Sequence, residues 1–458
     1  MIDVKRIRTL VGVALIAPLA ACSSVPNPLD MIPGRNSDGE NERLNGAAPT
    51  DGRVSILNFE QGLQLDSESE RGAVDLPTAY VNTVWPQPGG YPTNAVQHTQ
   101  ASGSLDVAWR ESFGDGSDND HRLNARPVVA GGNIYAIDAR GEVVAMDAET
   151  GAQVWSHRIE ATHRYDRMSF GGGIAFDGGR IYVHSGLNFF IALDAQSGRE
   201  LWRSETLVPF HGAPTVADGR VFVSSDDNEL LALDTDTGQV LWTYQGIVES
   251  ARLLTAPSPA VLGDIVVGPF ASGELIALRV QNGNPIWQDS LTRSGGLTAM
   301  SEINDVAGSP VVVDNTVYAM SHSGLLVAIS LRTGERLWSQ PAGGMHAPWV
   351  AGDFLFITTS EAEVVCINRH DGEVYWIAQL DLFENARERK NRIAWTGPVM
   401  AGGRLVVNSS RGEMVVLNAY DGTILSEREL GGDVFIPPVI ANETVYVVTD
   451  DARMIALR

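Results

Sequence analysis

Two cysteines, nine histidines and ten tryptophans are the residues of this 458-residue chain whose chemistry reaches beyond simple charge. A zinc or redox pair needs cysteines a few residues apart, and Cys22 and Cys366 are not. The histidines never take the His-Glu-x-x-His spacing that puts two imidazoles on one helical face. Neither a phosphate-cradling P-loop nor a Gly-x-Ser-x-Gly elbow occurs. Gly171-Gly172-Gly173 lacks the flanking strand and helix of a dinucleotide site and reads as a turn. Asp115-Gly-Ser-Asp118-Asn-Asp120 misses the ligand spacing of a Ca²⁺ loop and reads as a solvated loop. No catalytic constellation is left, so neither an enzyme nor a bound cofactor or metal is expected. Aromatic side chains and one cysteine near the N-terminus remain as the informative groups.

Charge narrows the partners. Lys+Arg 33 against Asp+Glu 56 gives −23, a field that repels phosphate backbones and argues against nucleic acid. At the N-terminus, Lys5, Arg6 and Arg8 precede an apolar run from Leu10 to Leu19 that ends in Leu19-Ala20-Ala21-Cys22. A basic start, a short apolar core and small residues describe a secretory signal, too short to span a bilayer. The tetrad resembles the lipobox of bacterial lipoproteins, which implies cleavage after residue 21 and lipid modification of Cys22. Ser23, with no Asp beside the cysteine, resembles the pattern sent to the outer membrane. Residues 22–100 are rich in Pro, Gly, Asn and Ser, as in Trp85-Pro86-Gln87-Pro88-Gly89-Gly90, and read as a largely irregular tether.

Beyond residue 100 the chain repeats itself. Val144-Ala-Met-Asp147-Ala-Glu-Thr150-Gly151-Ala-Gln-Val-Trp155 recurs around Asp194, Gly198 and Trp202, and again around Asp234, Gly238 and Trp242. Weaker copies centre on Gly283, Gly334, Gly372 and Gly422, with Ser426 in the last Trp place. Successive turn glycines lie 47, 40, 45, 51, 38 and 50 residues apart, the length of four short strands with their turns. Each repeat opens on a Pro-rich apolar segment and continues through Asp-Gly, Gly-Gly or Asp-Asn hairpin turns. In the Asp-x-x-Thr-Gly turn, Asp is suited to bond nearby amides and Gly to take positive φ.

A four-stranded unit cannot bury both faces alone, so the units must stack, and a ring of them is a β-propeller. Inner segments near Pro127, Ile174, Pro214, Pro259, Pro310, Pro348, Pro398 and Pro438 give eight blades over residues 101–458. The last blade runs out at Arg458 without its outer strand. Leu105–Phe113, with Trp109 in the repeated slot, is expected to supply it and close the ring. Seven of the ten Trp share this slot and are assigned to packing between blades. Trp349 and Trp395 fall outside it; packing is the favoured reading for them too, with an exposed aromatic surface as the alternative. Cys366 takes the place of a repeated Ala and reads as an inert core residue.

The Ala-Leu-Asp-x-x-Thr-Gly-x-x-x-Trp repeat resembles the docking motif of quinoprotein (PQQ) dehydrogenases, of which the chain keeps the scaffold without a Cys-Cys pair. Lipobox, tether and eight-bladed PQQ-like ring together resemble the BamB family of outer-membrane protein assembly lipoproteins, in an alphaproteobacterial form with a long acidic N-terminal extension. That resemblance implies a non-enzymatic, monomeric scaffold subunit of the BAM complex, on the periplasmic side of the outer membrane, that aids folding and insertion of β-barrel proteins. In that family two loops bind a periplasmic POTRA domain of BamA. Here they correspond to Arg252-Leu-Leu-Thr-Ala-Pro-Ser-Pro259 and Glu302-Ile-Asn-Asp305-Val-Ala307-Gly-Ser-Pro310. Carried over, Arg252 is the basic position and Asp305 the first acidic one, with Ala307 in place of the second acid. The loops also join the outer strand of one blade to the inner strand of the next, and Leu253, Leu254, Leu297 and Ile303 give them the apolar-plus-charged character of an interface. Two other readings stay open: an exported PQQ-dependent dehydrogenase, and a polysaccharide-binding propeller using Trp349 and Trp395.

Overall fold

The computed structural model describes residues 62–65 and 72–458, except 161–168, 171, 207, 250–252, 254 and 293–302. Cys22, Arg252, Leu254, Leu297 and the expected leader lie outside the described residues. Among the described residues every regular element is a strand, and eight four-stranded antiparallel sheets repeat one connectivity. Blade 1 comprises Val128–Ala130, Asn133–Ile137, Glu142–Asp147 and Gln153–Arg158, paired in chain order. The innermost strands of blades 2 to 8 are Gly173–Asp177, Thr215–Ala217, Ala260–Leu262, Val311–Val313, Trp349–Ala351, Trp395–Met400 and Val439–Ala441. The eight-bladed propeller read from the repeat is therefore the fold. Its closure is also the one expected, because Val107–Ser112 pairs with Arg453–Leu457 as the outer strand of blade 8.

One cross-strand row explains the repeat. In blade 1, Tyr135 pairs with Ala145, and Ala145 with Trp155. The alanine is small enough for the two rings to meet above it, with centroids 5.9 Å apart. The same row runs Tyr182-Ala192-Trp202, Phe222-Ala232-Trp242, Tyr318-Ala328-Trp338 and Tyr446-Ala456-Trp109. In blade 6 it is Phe356-Cys366-Trp376, so Cys366 fills the small position, fully buried, and burial pushes its thiol pKa up.

Each Trp then reaches the next blade. Its indole N–H donates to a carbonyl there: Trp155 to Ala195 at 3.0 Å, Trp202 to Thr235 at 3.0 Å and Trp242 to Val280 at 2.9 Å. The ring lies on the turn glycine of that blade, where a Cβ on Gly283 would stand 2.6 Å from Trp242. That glycine has φ of 70°, so it is required both for its backbone and for the absence of a side chain. The acid of the turn acts as expected: Asp147 Oδ1 accepts the Thr150 N–H at 2.8 Å and its hydroxyl at 2.8 Å. These bonds hold the Asp147 carboxyl below its ordinary range. Blade 7 departs from the pattern, with the row Val406-Val416-Ser426. The turn its Trp would clasp does not exist, because blade 8 is where the two ends of the chain meet. Arg428 reaches there instead, donating to Leu105 O and pairing with Asp106 at 3.0 Å.

Trp349 and Trp395 are buried, 8% and 5% exposed. Trp349 stacks on Trp85 at 6.1 Å and donates to Gln97 O, and Trp395 donates to Asp381 O. The packing reading therefore holds for both, and the alternative of an exposed aromatic surface falls.

Residues 72–100, read from the sequence as the end of the tether, are irregular but lie against the ring. Between Asn82 and Thr99 the chain makes one full circuit of the axis and bonds to all eight blades in turn, through backbone or side chain. Asn82 O accepts from Asn442 of blade 8, and Trp85 exchanges two bonds of 2.7 and 2.8 Å with Val129 of blade 1. Pro86 O accepts from Phe176, and the Gln87 amide bonds both ways with Val216. Pro92 O and Thr93 O take Val261 and Val312. Gln97 holds Trp349 and Gly352, and Thr99 O accepts from Gly402. An innermost strand has one edge with no sheet neighbour, and its buried N–H and C=O groups need partners. This belt provides them.

Candidate functional site

A propeller has two faces. One carries the turns between first and second and between third and fourth strands. The other carries the turns between second and third strands and every blade-to-blade connection. The candidate loops are both on this second face, between Val240–Gln245 and Ala260–Leu262 and between Pro285–Ser290 and Val311–Val313.

The first loop leaves blade 3 with Ile247 and Val248 exposed, 59% and 63%. Two buried carboxylates brace it. Glu274 Oε2 accepts the Ile247 N–H at 3.1 Å and the Ser272 hydroxyl at 2.7 Å, while its Oε1 takes Gln288 at 2.6 Å. Asp305 Oδ2 accepts the Leu253 N–H at 2.9 Å. Asn228 adds a bond of 2.6 Å to Ile247 O. An ionised acceptor facing a backbone N–H makes a stronger bond than a neutral one, so the loop is held at Ile247 and again at Leu253. Asp305, 5% exposed, faces inward to the neighbouring loop and does not project from the face as an exposed acid would. Leu253 and Ile303 are half-buried. The structure thus brings Leu253 and Asp305 into contact.

Two features of this face escaped the sequence reading. The connection from blade 6 to blade 7 carries its own hairpin, Phe383–Asn385 with Lys390–Arg392. Its exposed Arg387, Arg389 and Lys390 stand beside Glu384 and Glu388, with Lys390 paired to Glu388 at 2.9 Å. The signal was the spacing of 50 between Gly372 and Gly422 after one of 38, which marks an insertion. The second feature is a cavity of about 110 Å³ on the axis, lined by the starts of inner strands and floored by Pro88 of the belt. Thr255 to Pro257 and Ala307 to Ser309, from the bases of the two candidate loops, form part of its wall. Arg126 and His346 face into it. Burial, and then the charge of Arg126, push the His346 pKa down to about 4. Among the described residues no group of three His, Cys, Asp or Glu side chains is placed to hold a metal ion.

Known proteins share this chain's pattern. The family model described as outer membrane protein assembly factor BamB matches residues 140–378 and 384–458. A model for the β-propeller domain of glucose, ethanol and alcohol dehydrogenases matches residues 92–177. The outer membrane protein assembly factor BamB of Salmonella typhimurium is 33% identical over 280 residues, 60% of this chain and 71% of the relative. Among solved structures, BamB from Moraxella catarrhalis superimposes with a TM-score of 0.64 at 22% identity, over 76% of this chain and all of the other. Quinohemoprotein alcohol dehydrogenase from Comamonas testosteroni reaches 0.63 at 13% identity, over 83% of this chain and 81% of the other. At such identities the structural matches report the fold alone.

Proposed function

Because the chain belongs to the family of outer membrane protein assembly factor BamB, we propose that it is a non-enzymatic scaffold subunit of the machinery that inserts β-barrel proteins into the outer membrane. It is held on the periplasmic side by a lipid on Cys22 and binds BamA through the loops that follow blades 3 and 4. The observation that carries the interface is the bracing of an exposed apolar loop. Ile247 and Val248 stand in solvent, yet Glu274 fixes the backbone at Ile247 and Asp305 that at Leu253. A loop ordered before binding loses less conformational entropy on association. In this reading Arg252 pairs with an acid on BamA, and Leu253, Leu254 and Ile303 are covered beside it. Asp305 acts as a positioning residue for the loop. The dehydrogenase reading draws only on a scaffold the two families share, and the polysaccharide reading loses the exposed tryptophans it needed.

The test is co-purification from membranes with mass spectrometry. Arg252→Glu is expected to remove BamA from the eluate with unchanged far-UV circular dichroism. Asp305→Asn is expected to weaken recovery by about tenfold, the value of one charge-assisted bond. Cys22→Ser is expected to move the chain into the soluble periplasmic fraction. Full BamA recovery with Arg252→Glu would sink the interface, and a membrane-bound Cys22→Ser chain would sink the anchor.

A further inference from the structure

In a chain of net charge −23, the axial cavity has no acidic residue in its lining and one guanidinium at its base. Arg126 Nη1 donates to Pro88 O at 2.8 Å and Nε to Pro437 O at 3.3 Å, and its guanidinium carbon is 5.8 Å from the centre of the Trp85 ring. No carboxylate of the described residues stands within ion-pair distance of it. A guanidinium has five N–H donors, so the carbonyls leave donors over on a half-buried cation that has no counter-charge beside it. Nearby His346 is kept neutral, so it adds no second charge. Apart from Asn124, whose amide can turn its NH2 towards an anion, the rest of the wall is small or apolar, including Met345, Phe435 and Ile436.

From this we infer that the axial cavity is a binding site for a single carboxylate with a short body, taken in through the loop face and held by the free donors of Arg126. Carboxylate matches the flat fork of a guanidinium in a two-bond pairing. The size fits too: at about 10–15 Å³ per water-sized sphere, the cavity of about 110 Å³ admits a few heavy atoms beyond the carboxylate. The group comes either from a free small acid or from the end of a polypeptide entering from the loop face. The inference does not rest on the BamA reading, because it concerns the ring and its belt alone.

The experiment uses the purified full chain in detergent, without partners. Sodium butyrate is titrated against sodium chloride at equal ionic strength, followed by tryptophan fluorescence, since Trp85 and Trp349 line a small adjoining cavity that shares Arg126 and His346 with the axial one. A second arm compares a tripeptide, Ala-Ala-Phe, as free acid and as C-terminal amide. Saturable binding of butyrate or of the peptide acid, but not of chloride or the amide, is expected. Arg126→Gln should weaken it by roughly tenfold to a hundredfold, the range for hydrogen bonds to charged groups. Ala256→Phe blocks the cavity wall and leaves Arg126 and its carbonyl bonds in place, so its loss of binding holds even if Arg126→Gln loosens the belt. Butyrate alone points to a free acid, and the peptide acid alone to a chain end. Absence of saturable carboxylate binding, or equal effects of chloride, overturns the site and assigns Arg126 to clamping Pro88.

Discussion

The rim and the axis of the ring solve the same problem, holding eight blades together, in opposite ways. At the rim one device recurs, an aromatic-Ala-Trp row with its indole on the next blade's turn glycine. At the axis nothing recurs: a single irregular stretch meets each blade with a different residue, an exchange of backbone bonds here and a Gln or Asn side chain there. The rim is built from nearest-neighbour terms, as in any array of repeats. The belt is shared by all blades, so a local change in it is felt around the ring. The difference teaches that repetition records only the interactions a blade makes with its neighbour.

The sharpest way to break this comparison is at Trp85, which is fully buried and stacked on Trp349. Trp85→Ala is expected to cost about 3–5 kcal/mol, the range for deleting a large buried aromatic, measured by urea unfolding of the whole ring. A loss below about 1 kcal/mol would mean that the belt merely lies in the channel. At the rim, Gly283→Ala drives a Cβ towards Trp242 and into positive φ, and about 2–3 kcal/mol is expected from strain and displaced packing. Protease cuts should then concentrate near blades 3 and 4. Cuts spread evenly around the ring would contradict the nearest-neighbour picture.

A smaller, pH-dependent effect separates the regions further. His184 is fully buried, its Nε2 donating to Gly212 O at 2.8 Å while its Nδ1 accepts the Gly186 N–H at 3.2 Å. Burial pushes its pKa down to about 4 from an ordinary 6.5. Between those two values the unfolded chain binds the proton and the folded one does not, so stability falls as pH drops through that window and levels off below it. About 2 kcal/mol should be lost between pH 7.5 and pH 5 through this group, and His184→Gln should flatten that part of the curve. An unchanged slope in the variant would remove His184 from the account.

Blade number, strand order and ring closure were legible because seven of the eight blades carry the same Trp opposite the same kind of small residue, and seven share the turn glycine. Even the exception at Ser426 marks the blade whose neighbour has no such turn. The candidate site was legible only in part. The lengths of the loops pointed to them, but the inward turn of Asp305 depends on Leu253 arriving beside it from another blade. The inserted hairpin was hinted at only by an irregular repeat interval. The belt was read as tether because its Pro, Gly and Asn content matches a linker. Those residue types serve equally an extended chain that gives up its carbonyls and amides to other strands.

The sequence by itself thus determined the unit, its count and the way the ends meet, since these follow from local periodicity and from contacts that every unit repeats. The tertiary structure alone decided what fills the axis and which charges face it. The stretch from Asn82 to Thr99 meets eight strands drawn from the whole length of the chain, and Arg126 is left without an acid only because of what the closed ring brings around it. Contacts of that range, each made once, leave no period in the sequence.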